Sequence, residues 1–169
     1  MSYFNLSELP FTKELELQKL FLLPSLEQAF SQLHLLVSLK GFGILTGKSG
    51  TGKSCLLRLL AKDLSPATYH LTYLNHASVS TTEFYSHLAC GFGIPPTGRR
   101  SLLFRKLKEQ IELLHSSKRQ HSILLIDEAH LLSTDILQEL RMLTNFSMDS
   151  KSLLTILLCG QEDLLLKFG

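Results

Sequence analysis

Apolar residues in this chain of 169 residues form short runs separated by longer stretches of helical spacing. Aliphatic, aromatic and β-branched residues dominate the short runs, which is typical of strands. The predicted strands are residues 42–46, 68–74, 121–126 and 153–159. In the longer stretches, apolar positions recur every three or four residues, which predicts amphipathic helices. The predicted helices are residues 24–40, 55–62, 99–116, one after Ser80, one after Ser133 and a short one over 162–168.

Strands and helices alternate along the chain, which predicts an α/β fold with a mainly parallel sheet. We divide the chain into an N-terminal segment, residues 1–41, and a core, residues 42–169. The N-terminal segment contains short apolar groups within residues 3–11 and then the first predicted helix. Its apolar stripe is explained equally well by ordinary core packing and by packing beside a bound ligand.

Helix ends are marked by local signals. The first helix is predicted to end near Lys40-Gly41, with the glycine as its C-terminal cap. Ser80 and Glu83 have the spacing of a capping box. Ser133, Thr134 and Asp135 are candidate N-caps for the helix that follows.

A glycine-rich loop lies between the first strand and the second helix and reads G-x-x-x-x-G-K-S. This is a P-loop, in which backbone N–H groups and the helix N-terminus hold phosphate. Lys53 is predicted to reach the β- and γ-phosphates, and Ser54 to bind Mg²⁺. The predicted nucleotide-binding residues are Gly47, Lys48, Ser49, Gly50, Thr51, Gly52, Lys53, Ser54 and Cys55.

Two adjacent carboxylates, Asp127 and Glu128, follow the third predicted strand, which contains four consecutive aliphatic residues. Burying two acids together is costly without a cation, and Mg²⁺ bound with ATP supplies that charge. We predict that Asp127 orients the water shell of the Mg²⁺. Glu128 is expected to point in another direction and to act as a general base for water. Gln161 follows the fourth strand and is either close to the γ-phosphate or a helix cap. Because parallel strands place ligands at their carboxyl ends, these residues are expected to share one crevice.

Composition limits the function classes only weakly. The net charge of +2 does not by itself indicate a nucleic-acid partner. The basic start of the fourth helix, residues 99–108, could contact nucleic acid, but we favour a solvated face because acidic residues follow. Cys55, Cys90 and Cys159 form no C-x-x-C pair, which favours free thiols in a reducing compartment. The start of the chain shows no signal-peptide pattern, and we expect a cytoplasmic protein.

The P-loop, the run Asp127-Glu128-Ala129-His130 and the polar Gln161 together resemble AAA+ ATPases. The opening segment 3–11, residues 127–132 and Cys159-Gly160-Gln161 are similar to one branch, which includes ExeA-type secretion ATPases and the ATP-binding helpers of bacterial transposons. The resemblance covers nearly the whole chain.

The resemblance implies a three-layer P-loop NTPase with sheet order 5-1-4-3-2. With four strands present, it implies the order 1-4-3-2 and the P-loop strand at an edge. It also implies Asp127 on Mg²⁺, Glu128 on the attacking water and Gln161 as sensor 1. Asn75, after the second strand, matches a polar switch that holds the catalytic glutamate in some relatives.

Members of this family continue into a fifth strand, an arginine finger and a helical lid. The sequence stops at Gly169, before these elements, so the resemblance implies weaker hydrolysis and weaker ring assembly than in the complete form.

The predicted function is Mg²⁺-dependent ATP hydrolysis that remodels or recruits a protein partner, a transposase or a secretion component; DNA is left open as a partner. The alternative is a nucleotide-binding adaptor with little turnover. A small-molecule kinase is disfavoured because Glu128 suits water activation. A helicase is disfavoured because the chain has no room for a second motor domain.

Overall fold

The computed structural model describes residues 24–75, 79–146 and 150–168. The opening segment 3–11 lies outside the described residues. The four predicted strands are present, and all of them run parallel. Their bounds are β1 Phe42–Thr46, β2 Tyr69–Leu74, β3 His121–Ile126 and β4 Leu154–Gly160.

The helices also follow the predicted pattern. Their bounds are α1 Pro24–Leu39, α2 Lys53–Asp63, α3 Thr81–Gly91, α4 Arg100–Ser117 and α5 Thr134–Thr144. Two 3₁₀ segments, Ala129–Leu131 and Glu162–Lys167, follow β3 and β4. No helix among the described residues is long and apolar enough to cross a membrane.

The order of the strands in the sheet is β1-β4-β3-β2. This confirms the predicted order and, within the described residues, leaves the P-loop strand β1 at one edge. β3 and β4 lie in the middle and are buried along their whole lengths, because helices cover both faces there. The two strands that carry the carboxylates and Gln161 at their ends are therefore the most completely buried.

The sheet separates two apolar cores. Alternation along β3 sends Ile123 and Leu125 to one face and Leu124 and Ile126 to the other. The first face packs on α1 and α2, and the second on α3, α4 and α5. The molecule is thus the three-layer α/β structure that the resemblance implied.

The helix-capping predictions are confirmed in two places and corrected in one. Ser80 and Glu83 form the capping box at α3, and the Ser133 hydroxyl accepts from the Ile136 amide at α5. At the end of α1, however, the left-handed residue is Lys40, with φ 53°, and Gly41 comes one position later. The amides of both residues bond back to the helix, so the turn closes in the usual way with a lysine where glycine is preferred.

The basic start of α4 is only partly a solvated face. Arg100 Nη1 lies 2.9 Å from Glu139 Oε1 on α5, and the Tyr85 hydroxyl of α3 donates to the other Glu139 oxygen at 2.7 Å. Lys108 Nζ donates to the carbonyl of Asn145 and lies 4.7 Å from the centre of the Phe146 ring. These basic side chains join the three helices of one layer, whereas Arg105 is largely exposed and pairs within α4.

A buried histidine opens β3 at the end of the sheet opposite the carboxylates. His121 is 6% exposed, and its Nε2 lies 2.8 Å from the Thr155 hydroxyl. Burial, together with the smaller effects of Lys40 and His115, lowers the pKa of His121 to about 4. The folded protein therefore holds this imidazole neutral.

We expect the free energy of unfolding to fall as the pH is lowered from about 6.5 toward 4. In that window the unfolded chain binds a proton at His121 that the folded chain does not bind. At about 1.4 kcal/mol per pKa unit, the contribution reaches about 3 kcal/mol at most. Urea denaturation at a series of pH values should show a flatter profile for His121→Gln than for wild type, whereas His87→Gln, at an exposed site on α3, should keep the wild-type slope. An unchanged slope in His121→Gln would contradict this assignment.

Candidate nucleotide-binding site

The P-loop connects the end of β1 to the first turn of α2. Gly50 and Gly52 adopt φ values of +80° and +88°, which residues with a Cβ reach only at a cost. Gly52 is the N-cap of α2, and no side chain occupies the hydrogen-bonding position of that cap. The backbone N–H groups at the start of the helix are therefore directed at whatever lies over the loop, which is the arrangement that binds phosphate.

Lys53 folds back over the loop. Its Nζ donates to the carbonyls of Gly47 and Lys48, at 2.8 Å in both cases. The Thr51 hydroxyl also donates to Lys48, at 2.8 Å. These bonds hold the loop closed around one ammonium group, which gives the crevice a fixed positive charge.

Ser54 and Asp127 meet although they are 73 residues apart in sequence. Asp127 continues the face of β3 that carries Ile123 and Leu125, and α2 packs on that face. The Ser54 hydroxyl consequently donates to Asp127 Oδ2 at 2.9 Å. Both predicted metal-binding residues are thus brought together.

The carboxylate of Asp127 is buried and well supplied with hydrogen-bond donors. Only 5% of the residue is exposed. Besides Ser54, the Tyr73 hydroxyl donates to Oδ2 at 3.1 Å, and the Glu128 amide donates to Oδ1 at 2.9 Å. The charge of Asp127 also acts on the Cys159 thiol of β4. Neighbours from β2 and α2 therefore fix the orientation of this carboxylate.

Asp127 and Glu128 place negative charge at the end of β3, and the ammonium group of Lys53 acts on Cys159 in the opposite sense. The pKa values of Tyr73 and Cys159 are both raised to about 12, chiefly by burial and then by the charge of Asp127, with Glu128 adding to the effect. The site therefore favours cations. Its hydroxyl and carboxylate oxygens are hard ligands, which suit Mg²⁺ better than soft metals. The residues present fit the predicted cofactor.

Glu128 departs from the strand. Its φ of 52° is in the left-handed region, which costs a non-glycine residue about 1 kcal/mol. The turn directs Glu128 away from Asp127, and half of its side chain is exposed. Its Oε2 lies 3.4 Å from His130 Nδ1. A strained, accessible carboxylate beside a phosphate-binding loop has the placement that a general base needs.

A crevice of about 290 Å³ collects most of the predicted residues. Glu128 and Gln161 line it together with residues of the loop and α2. Those residues are Ser49, Gly50, Gly52, Lys53, Ser54 and Cys55. Gln161 stands at the N-cap position of the last 3₁₀ helix, but its side chain makes no capping bond, so it is available to the crevice.

Asn75 lies elsewhere. It is exposed and lines a separate depression with Tyr73, Leu74 and His87. Its assignment as a switch stays a prediction.

Three residues near the carboxylates were not anticipated in any role: Tyr73, Cys159 and His130. Strand alternation was the available signal for the first two, because Tyr73 is paired with Leu125 and Cys159 belongs to the core on the α2 face.

Comparisons with known proteins agree with this geometry. A family model described as an AAA domain matches residues 34–168. The General secretion pathway protein A of Aeromonas hydrophila is 31% identical over 165 residues, which are 96% of this chain and 30% of that protein. The chain therefore spans less than a third of the length of this relative.

Two solved structures show the same fold. Cdc6p from Pyrobaculum aerophilum superimposes with a TM-score of 0.65 at 26% identity, over 86% of this chain and 41% of that one. The ORC2 protein of Aeropyrum pernix gives a TM-score of 0.59 at 17% identity, over 90% of this chain and 46% of that one. The family match, the four-stranded order and the joined Ser54 and Asp127 lead to one conclusion: this chain belongs to the AAA domain family of P-loop ATPases.

Proposed function

We propose that this chain binds ATP with Mg²⁺ and hydrolyses it to ADP and phosphate, and that this cycle serves to remodel or recruit a protein partner. The observation that carries the proposal is the 2.9 Å contact between Ser54 and Asp127 beneath the P-loop. This contact connects Ser54, which lines the crevice together with Lys53, to the buried carboxylate of Asp127. A hydroxyl, a carboxylate and an ammonium group in this arrangement are suited to holding a metal-bound phosphate chain.

Each residue of the crevice has a role in this reaction. The loop amides and Lys53 bind the phosphate oxygens and stabilise the negative charge that develops on them. Ser54 would bind the metal directly, and Asp127 would orient its water shell. Mg²⁺, when bound with the nucleotide, neutralises charge on the β- and γ-phosphates. Glu128 accepts the proton of the attacking water, and Gln161 contacts the γ-phosphate.

The base of the nucleotide is proposed to lie beside the N-terminal segment. A Cβ at Gly52 would lie 3.5 Å from the Leu26 side chain of α1, so this helix is packed against the loop. Ser25, Leu26 and Ala29 also line a cavity shared with the end of β1 and the loop. The first turn of α1 is therefore near enough to the phosphate site to contribute to the nucleotide pocket.

The partner is proposed to be a protein. The similarity to a general secretion pathway protein favours a secretion component over a transposase. We propose that the chain acts in the cytoplasm, where ATP is available and where its free cysteines stay reduced.

The purified chain should release phosphate from ATP in the presence of Mg²⁺, and removal of the metal with EDTA should reduce the rate by about 100-fold or more. A phosphate-release assay measures this directly, and added Mg²⁺ should restore the rate. The alternative function, a nucleotide-binding adaptor with little turnover, predicts a different result. In that case titration calorimetry would show Mg-ATP binding while no phosphate appears even at high protein concentration.

A further inference from the structure

His130 occupies a position between the two polar residues at the ends of β3 and β4. Its side chain is 9% exposed, although the residue lies in a 3₁₀ turn at the edge of the crevice. Its Nδ1 atom is 3.4 Å from Glu128 Oε2 and also 3.4 Å from the backbone nitrogen of Gln161. Among the described residues, His130 is the side chain that contacts the Glu128 carboxylate.

One nitrogen cannot serve both neighbours at the same time. A protonated Nδ1 donates to the carboxylate of Glu128, whereas an unprotonated Nδ1 accepts the N–H of Gln161. Both forms are neutral tautomers of the imidazole, because the second proton site is Nε2. The imidazole can therefore hydrogen-bond through Nδ1 to the Glu128 carboxylate or to the Gln161 amide, but not to both.

The position of the ring is set by the backbone around it. A Cβ at Gly160 would lie 3.0 Å from the backbone nitrogen of His130 and 3.3 Å from its Nδ1. The glycine at the end of β4 therefore lets the turn approach this closely. Lys167 donates to the carbonyl of His130 and, at 2.6 Å, to that of Leu132. The turn is thus tied to the segment that follows β4, and the imidazole has little freedom to move away.

We propose that His130 is a positioning residue that holds Glu128 for water activation and links its orientation to Gln161. With the Nδ1 proton present, the imidazole holds the carboxylate. When the Gln161 N–H donates to an unprotonated Nδ1 instead, the imidazole no longer holds the Glu128 carboxylate. A shift of Gln161 on contact with the γ-phosphate would in this way change the orientation of Glu128. This inference rests on the proposed ATPase function.

Kinetics of His130 variants test the link. His130→Ala should lower kcat by about 10- to 100-fold, the size expected for a misplaced catalytic group, while KM for ATP changes by less than about twofold. His130→Asn, which keeps a polar atom near the place of Nδ1, should recover most of the rate. In Glu128→Gln, the further change His130→Ala should have almost no effect, because the group it positions is already gone. His115→Ala, at the opposite end of the sheet, is the matched control.

A wild-type rate in His130→Ala would overturn the proposal. So would equal losses in His130→Ala and His130→Asn, or a loss that is fully additive with Glu128→Gln. Thermal melting of each variant shows whether a lost rate reflects unfolding.

A measurement without nucleotide separates this inference from the ATPase proposal. The ¹⁵N spectrum of the imidazole reports which nitrogen of His130 carries the proton. In Glu128→Ala the population with a proton on Nδ1 should fall and the Gln161 amide resonance should move, whereas Glu112→Ala should change neither. If the tautomers respond but wild type releases no phosphate, the ATPase proposal fails and the His130 link stands. If phosphate is released but the tautomers do not respond, the link fails.

Discussion

Glu128→Gln is expected to reduce ATP hydrolysis by about 10²- to 10⁴-fold, the contribution typical of a general base. Glutamine has the same shape but cannot accept a proton from water. It keeps the left-handed backbone and can still hydrogen-bond to His130 Nδ1, so the fold and the crevice should be retained. Nucleotide binding should therefore stay within about threefold of wild type, because the loop and Lys53 are untouched. Phosphate release and nucleotide titration on the same preparation measure the two effects.

A matched control is available on α4. Glu112→Gln removes the same charge at an exposed site and should leave both turnover and binding unchanged. Turnover near the wild-type rate in Glu128→Gln would mean that another group activates the water. Equal losses of turnover and binding would instead place Glu128 in nucleotide binding.

Lys53→Ala is expected to weaken ATP binding by about 100-fold, close to the 3 kcal/mol upper range for a hydrogen bond to a charged group. The free protein should tolerate the change. The two carbonyls that Lys53 holds at 2.8 Å belong to a loop at the surface, where water can replace the lysine. We therefore expect a change in unfolding free energy of about 1 kcal/mol or less. Fluorescent nucleotide titration and urea denaturation give the two values.

Lys62→Ala is the control for Lys53, because it removes a lysine from the exposed last turn of the same helix. Its nucleotide affinity should match that of wild type. Unchanged affinity in Lys53→Ala would remove the main cation from the proposed phosphate site. A large loss of stability would show that the lysine holds the loop rather than the ligand.

Much of the site follows from short-range pattern. The four aliphatic residues of β3 can be covered on both sides only in the middle of a sheet, and alternation then directs Asp127 to the face of α2. The spacing of Lys53 and Ser54 from the loop glycines places both on the first turn of that helix. These relations needed no knowledge of distant contacts.

Other features depend on which strands lie side by side. Tyr73 reaches Asp127 because β2 pairs with β3 in one register, and a shift of one residue would turn its hydroxyl to the other face. Gly41 was predicted as the C-terminal cap of α1, but Lys40 adopts the left-handed conformation, and the carbonyl of Gly41 already accepts a hydrogen bond from Ile156 of β4. The buried bonds of Glu139 with Arg100 and Tyr85 likewise join three helices that no local pattern connects.

The sequence alone determines the P-loop, the carboxylate pair and the alternation of strands and helices, because hydrophobic period and backbone chemistry act over a few residues. The neighbours of the carboxylates are not determined in this way. His130 lies beside Gln161 only because β4 is adjacent to β3 and ends in a glycine that admits the turn. Folding brings such residues together from distant parts of the chain, and their contacts are set by packing and register that adjacent residues do not encode.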